Sequence, residues 1–223
     1  MKNFITKVLY IISALIITTS LVACSPSNNN DDDDSKQGKI QTYVMEAEYV
    51  DLSDVKGGGH SNEASGVDVI YGDGTETQKE AGWSNGYFIA FTHKEGVQLK
   101  FVFTASKATT GATIVLRLGS EMGELTFNSS SFSVNLNGQE IEYGNMTIAS
   151  NSPSLSEMVF YDKTIATTAA LKEGENVLTL TVLANELAGG TTAGPIIDCV
   201  KITTNVELEW VELTDNPDRR GEI

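Results

Sequence analysis

Apolar and polar side chains alternate residue by residue along several short segments of the chain. The alternation is clearest in the segments 97–104, 114–118, 132–136 and 178–183. Because successive side chains of a strand point to opposite faces, this period of two predicts strands with one buried face. The apolar positions hold many β-branched and aromatic residues, which strands favour. No window of eleven or more residues shows the period of an amphipathic helix, so the pattern predicts an all-β fold.

Turn-forming residues separate these predicted strands. They stand at Thr110-Gly111, Asn137-Gly138, Lys172–Asn176 and Gly189-Gly190. Many short strands at regular spacing are typical of an antiparallel β-sandwich. We expect this sandwich to span residues 40–205. Residues 206–223 form a C-terminal tail, in which Val206–Leu213 has the composition of one extra strand.

The first 24 residues follow a different pattern. Two lysines precede an apolar run at 8–22, and the small Ala23 precedes Cys24. A basic start, an apolar core and a small-residue cleavage site predict a secretory signal peptide over residues 1–23. The cysteine after that site resembles the bacterial lipobox, which implies acylation of Cys24 and a lipid-anchored, extracytoplasmic protein. The alternative is an uncleaved transmembrane helix, for which the run is short, because spanning a bilayer takes about 20 apolar residues.

A polar stretch connects this segment to the predicted sandwich. Residues 25–39 hold the consecutive acids Asp31–Asp34 and no apolar residue apart from Pro26. Such a stretch cannot bury enough surface to offset the entropy of ordering, so we expect a disordered acidic spacer over residues 24–39. The whole chain carries a formal charge of −15 and shows no basic patch. This balance argues against binding to nucleic acid and against electrostatic attraction to anionic lipids.

Motifs of common catalytic chemistry are missing from the sequence. The two histidines, His60 and His93, stand outside any metal-type cluster, and there is no G-x-S-x-G motif or glycine-rich phosphate loop. The second cysteine, Cys199, lies in an apolar run and is expected to be buried and inert. We therefore expect a protein without catalytic activity. A small glycoside hydrolase or lyase is the alternative, although no acid–base pair can be singled out for it.

One group of acidic residues is more specific. Glu46 and Glu48 lie two residues apart in a strand-like run, so strand geometry would place both side chains on one face. Two neighbouring carboxylates repel each other unless a cation lies between them, and a hard ion such as calcium prefers oxygen ligands. Asp198 lies in the last apolar strand, which in a sandwich is often next to the first. The alternative is that these are three solvated acids at strand ends.

Four motifs along the chain resemble carbohydrate-binding modules of families 6 and 35 in their order and spacing. The resemblance covers about residues 43–204 and implies a jelly-roll β-sandwich of antiparallel strands without catalytic activity. It also implies a structural Ca²⁺ ion held by Glu46, Glu48 and Asp198. The motifs are Glu46-Ala47-Glu48, Ser84-Asn85-Gly86-Tyr87-Phe88-Ile89, the segment 171–180 and Gly194-Pro195-Ile196-Ile197-Asp198-Cys199-Val200-Lys201-Ile202.

In these modules the usual sugar site lies in loops at one end of the sandwich, where aromatic rings stack on the sugar and polar groups bond its hydroxyls. Trp83 is the strongest candidate ring, with packing over the sandwich end as its alternative role. Tyr161 follows Phe160, and only one ring of that pair can face the core of a strand. The ligand-binding candidates are Trp83, Asn85, Tyr161, Tyr71 and Asn185, with Asn62 as a further polar partner.

The sequence departs from these modules at one position. The modules commonly carry a sugar-binding asparagine two residues before the closing aspartate, and here that position is Ile196. An isoleucine cannot bond a hydroxyl, so either the site is built elsewhere or glycan binding has been lost. The leading hypothesis is a lipid-anchored, calcium-stabilised surface protein that binds carbohydrate. The alternative is a surface lipoprotein that uses the sandwich for structure or for protein contacts.

Overall fold

The computed structural model describes residues 38–50, 68–71, 82–90, 92, 95–120, 123–149, 154–183, 186–187, 191–192 and 194–210. Cys24, the predicted signal peptide and most of the predicted spacer lie outside these residues. Among the described residues, no helix has the length and the apolar character needed to cross a membrane.

The described residues form fifteen strands and two short 3₁₀ helices, Ala47–Tyr49 and Leu155–Glu157. This content confirms the all-β prediction. The strands are β1 Gln41–Glu46, β2 Asp68–Tyr71, β3 Tyr87–Ala90, β4 Gln98–Ala105, β5 Thr109–Gly119, β6 Leu125–Phe127, β7 Phe132–Leu136, β8 Gln139–Glu140, β9 Met146–Ile148, β10 Tyr161–Leu171, β11 Gly174–Val182, β12 Glu186–Leu187, β13 Thr191–Thr192, β14 Ile196–Thr204 and β15 Leu208–Trp210.

Two antiparallel sheets make up the sandwich. One has the order β10-β5-β14-β3-β2, with β1 also paired to β14, and the other has the order β15-β4-β11-β7-β8. Most neighbours in these sheets are distant in sequence, as in a jelly roll, and the predicted antiparallel jelly-roll sandwich is confirmed. β15 lies within the predicted tail and pairs with β4 through Trp210 and Phe103.

The core lies between the two sheets. Ile114, Leu116 and Ile202 of the first sheet share one buried cluster with Phe101 and Leu178 of the second. All of them except Ile202 belong to the alternating segments of the sequence, so the period of two places those four on the inner faces. The large aromatic and branched side chains of this cluster account for the stability of the fold, because burying one of them contributes roughly 1.5–3 kcal/mol.

The turn predictions have different outcomes. Asn137 and Gly138 form the tight turn between β7 and β8, with φ angles of 55° and 83°, as expected for an Asn-Gly hairpin. The prediction of a turn at Thr110-Gly111 is wrong, because both residues lie inside β5. A glycine is tolerated there because the place of its missing Cβ has no other atom within 4 Å. Gly189-Gly190 lies outside the described residues.

Candidate functional site

The predicted metal ligands come together at the end of the first sheet. β1 and β14 are direct neighbours, and Glu46 stands opposite Cys199. The expectation that the first and last strands lie side by side is therefore correct for this pair. The segment Gly82–Gly86, which precedes β3, approaches the same place from the other side.

Glu48 reaches this place by a different route from the one that the sequence pattern suggested. β1 ends at Glu46, and residues Ala47–Tyr49 form a 3₁₀ helix. The prediction that Glu46 and Glu48 share one strand face is therefore wrong in its geometry. The 3₁₀ turn buries Glu48 completely, whereas Glu46 is half-buried.

Asp198 is also fully buried. It lies where the pairing of β14 with β5 shifts register between Ile197 and Cys199. A shift of this kind re-aims the side chains next to it, as in a β-bulge. The Asp198 carboxylate accepts a bond from the backbone N–H of Ser84 at 3.3 Å. Its Oδ2 lies 3.1 Å from Nε of Arg117.

Ser84 and Asn85 bind the two glutamates. The Ser84 hydroxyl donates to Glu46 Oε2 at 2.5 Å, and the Asn85 amide donates to Glu48 Oε1 at 3.1 Å. The same Asn85 amide lies 3.4 Å from the hydroxyl of Tyr49. Asn85, a candidate sugar ligand, thus uses its amide to hold a carboxylate in the present arrangement.

Burial has the largest effect on the pKa values of the two buried acids in this cluster. Loss of hydration raises the pKa of Glu48 from 4.5 to about 8, and the charges of Glu46 and Asp198 add to the rise. Loss of hydration also raises the pKa of Asp198 from 3.8 to about 6, against the opposing effects of Ser84 and Arg117. Both carboxyls lie where negative charge is disfavoured, so an added cation would stabilise their ionised forms.

Three carboxylates suit the chemistry of a hard cation, which takes oxygen ligands. As they are placed, however, the described residues include no group of three or more His, Cys, Asp or Glu side chains that could hold a metal ion. Donors of Ser84 and Arg117 already contact the carboxylate oxygens. Calcium would have to displace some of these donors, and calcium binding stays a prediction.

Trp83 lies in a second apolar cluster. Its ring is only 8% exposed and makes edge contacts with Phe88 at 4.8 Å and Phe160 at 6.2 Å between ring centroids. Its indole N–H donates to the carbonyl of Met158 at 2.7 Å. These contacts favour the alternative role of Trp83, which packs over the sandwich end. As it is placed, the ring exposes little surface for stacking, and sugar binding by Trp83 stays a prediction.

Ile196 belongs to the same cluster as Trp83 and is also 8% exposed. The position where the resembling modules carry a polar sugar ligand here contributes apolar packing. A buried isoleucine beside three aromatic rings stabilises the cluster, because apolar area leaves water. The cluster around Trp83 and Ile196 is therefore a small apolar core at the loop end of the sandwich.

Of the remaining candidate sugar ligands, only Tyr161 has a side chain that the structure describes. Tyr161 begins β10, is half-buried against the main core and has Nζ of Lys163 5.8 Å from its ring centroid. Tyr71 ends β2 opposite Tyr87, and its side chain lies outside the description. Asn185 and Asn62 lie outside the described residues.

A groove that the sequence did not predict runs between β8 and β10. These are the end strands of the two sheets, and the groove between them has a volume of about 570 Å³. The alternation of residues within a strand cannot predict this groove, because the groove depends on how the β8 edge of one sheet lies against the β10 edge of the other. Its lining is formed by hydroxyl, amide, carboxylate and small apolar side chains, from Leu136, Asn137, Gln139–Glu142 and Thr164–Ala170.

Solved structures with a similar fold include carbohydrate-binding modules. The family 35 module of Cellvibrio japonicus Abf62 is 16% identical, with a TM-score of 0.43 and coverage of 76% of this chain and 97% of the module. A family 35 module in complex with a disaccharide containing glucuronic acid is 16% identical, with a TM-score of 0.43 and coverage of 75% and 96%. The Podospora anserina mannanase that carries such a module is 14% identical, with a TM-score of 0.46 and coverage of 74% and 27%.

No family model matches the chain, and no curated protein matches it. Similarity to solved structures at these values carries no information on the ligand of this chain. The function therefore has to be argued from the residues described above.

Proposed function

We propose that this protein is a non-catalytic carbohydrate-binding module and that the sugar lies in the groove between β8 and β10. The observation that carries the proposal is the groove itself. Its volume of about 570 Å³ lies within the roughly 300–1,000 Å³ that is typical of small-ligand sites. Thr167, Thr168 and Gln139 expose side chains that can exchange hydrogen bonds with sugar hydroxyls.

The groove is a better candidate than the loop end where such modules usually bind. There, Trp83 and Ile196 pack on Phe88 and Phe160 and leave little of either side chain exposed. In the groove, polar side chains lie beside the small apolar Ala166 and Ala169. This mixture suits a sugar, which has both hydroxyl groups and apolar C–H faces.

A glycan array probed with the calcium-loaded mature chain tests the proposal. We expect retention of a restricted set of poly- or oligosaccharides. Isothermal titration with a retained oligosaccharide then gives the stoichiometry, for which we expect one site. Absence of binding to plant, host and cell-wall glycans would refute carbohydrate binding.

A structural calcium ion is the second part of the proposal. Glu46, Glu48 and Asp198 would hold it, and bound calcium would add positive charge beside the buried carboxyls of Glu48 and Asp198. Its support is the oxygen-only donor set, the raised pKa values of Glu48 and Asp198 and the resemblance in sequence.

Calcium removal should lower the melting temperature of the protein. A ligand that binds only the folded state stabilises it by mass action, so a chelator withdraws that stabilisation. Differential scanning calorimetry of the wild type with calcium and with chelator measures the difference, and Asp198→Ala should respond much less. An identical wild-type melting curve under both conditions would contradict the calcium site.

The third part concerns location. We propose that Cys24 carries lipid and anchors the sandwich outside the cytoplasm, on the support of the apolar run at 8–22 and Ala23 before the cysteine. Cys24→Ala should move the protein from the membrane fraction to the soluble fraction after cell breakage. Unchanged partition of that variant would count against the anchor.

The second candidate function is a structural or protein-binding surface protein. The apolar cluster around Trp83 favours it, because the cluster fills a place that resembling modules use for sugar. This candidate predicts an empty glycan array together with an intact, calcium-responsive fold. The array and the melting experiment therefore separate the two functions.

A further inference from the structure

Arg117 connects the carboxylate cluster to the rest of the sandwich. It lies in β5, with Cys199 of β14 opposite on one side and Asp162 of β10 on the other. Its guanidinium donates to Asp162 Oδ1 at 2.9 Å and, through Nε and Nη2, to the Gly82 carbonyl at 2.9 and 2.7 Å. The side chain is 16% exposed.

The same guanidinium contacts one of the two fully buried acids of the cluster. Nε of Arg117 lies 3.1 Å from Oδ2 of Asp198, whose side chain has no exposed surface. The other oxygen of Asp198 accepts from the Ser84 backbone. Oδ2 accepts no hydrogen bond, because the Nε–H of Arg117 is donated to the Gly82 carbonyl. The contact of Oδ2 with Arg117 is therefore an ion pair, and this buried oxygen is the one for which a metal ion would compete.

The charge on Arg117 is permanent, because a guanidinium does not lose its proton in proteins. A divalent cation at Asp198 would meet a like charge at close range, inside a partly buried region where screening by water is weak. The ion and the guanidinium therefore cannot both occupy close positions on this carboxylate without repulsion.

We propose that Arg117 is the resident cation of this cluster and competes with calcium for Asp198. This inference rests on the proposed calcium site. In the absence of calcium, Arg117 partly neutralises Asp198 and holds the Gly82 carbonyl, so the sandwich folds without the ion. When calcium binds, Nε of Arg117 leaves Asp198.

Calcium titration of matched variants tests the competition. Arg117→Gln removes the charge at Asp198, and we expect it to bind calcium at least tenfold more tightly than the wild type by isothermal titration. Its melting temperature should be lower than that of the wild type in chelator and should rise more on addition of calcium. Lys100→Gln is the control, because it removes the same charge from an exposed residue of β4 in the other sheet. We expect that control to change calcium affinity less than threefold.

A second readout uses the wild type and does not depend on the folding of a variant. The Nε–H signal of Arg117 in a nitrogen-resolved NMR spectrum should shift as calcium is added, because the Asp198 carboxylate 3.1 Å from Nε would move away from it. If the wild type binds calcium by isothermal titration and this signal stays unchanged at saturation, the proposal is overturned.

The outcomes separate this inference from the calcium site itself. Calcium binding by Arg117→Gln that is no tighter than that of the wild type overturns the competition and leaves the site in place. Binding by Arg117→Gln alone supports the competition and shows that Arg117 has displaced the ion in the wild type. Absence of calcium binding in both proteins overturns both proposals.

Discussion

Glu48 shows how a single side chain can set the response of the protein to pH. It is fully buried, and its pKa in the folded state is about 8, against 4.5 for an ordinary glutamate. The folded state therefore holds a proton over a pH range in which the unfolded state has released it. In such a case stability is lost as the pH rises from the unfolded value to the folded value.

We expect the calcium-free protein to lose stability on the order of 3–5 kcal/mol between pH 5 and pH 8, chiefly through Glu48. Asp198 acts in the same direction, because its pKa is raised to about 6. Glu48→Gln should remove most of the decline, since the amide has no proton to lose. Denaturant unfolding in chelator at several pH values measures it.

The control for this experiment is Glu207→Gln, which changes an exposed glutamate and should leave the pH dependence as it is in the wild type. A wild-type stability that is flat or rising between pH 5 and pH 8 would contradict the assignment. Added calcium should reverse the trend, because a bound cation favours the ionised carboxylates.

At the scale of elements, the segment Gly82–Gly86 joins the carboxylate cluster to the apolar cluster. Ser84 and Asn85 face the glutamates, and Trp83 packs against Phe88. Gly82 begins the segment with a φ angle of +77°, in the left-handed region that favours glycine. A Cβ on Gly82 would stand 2.2 Å from Nη2 of Arg117.

Gly82→Ala should therefore destabilise the protein by about 1–3 kcal/mol, because it combines backbone strain with displacement of Arg117. Chemical denaturation measures the change. Gly111→Ala is the matched control, because its Cβ would meet open space within β5, and we expect a change of about 0.5 kcal/mol or less. Equal stability of the two variants would show that Gly82 is under no constraint.

The elements also show what the sequence could and could not predict. Alternation predicted β4, β5, β7 and β11. A half-buried strand has one apolar and one polar face, so its apolar and polar residues alternate in the sequence. The strand pattern misled at Glu48, where a 3₁₀ turn replaces the strand. The turn signal misled at Thr110-Gly111, where β5 continues through the pair.

The site was predictable only in part. Glu46, Glu48 and Asp198 do approach one loop, because β1 and β14 are neighbours. The role of Arg117 was missed, because its contact with Asp198 depends on a register shift that no local pattern records. The burial of Trp83 was one of two alternatives, since a tryptophan between turn residues can pack or project.

Across the sandwich, apolar side chains fill the interior, and polar and small apolar side chains line a groove. Two antiparallel sheets enclose the main core, and a small apolar cluster with Trp83 and Ile196 lies apart from it. The groove between β8 and β10 is a cavity with exposed polar side chains in its lining. The proposed carbohydrate-binding role places the sugar in this groove.

The most direct test of that role is titration of a retained oligosaccharide into two charge-matched variants. Glu140 lines the groove, whereas Glu173 is an exposed glutamate of the segment that precedes β11. Glu140→Gln should weaken binding at least fivefold in isothermal titration, because it alters a hydrogen-bonding group of the site, and Glu173→Gln should bind as the wild type does. Equal affinity of both variants and the wild type would contradict a sugar site in this groove.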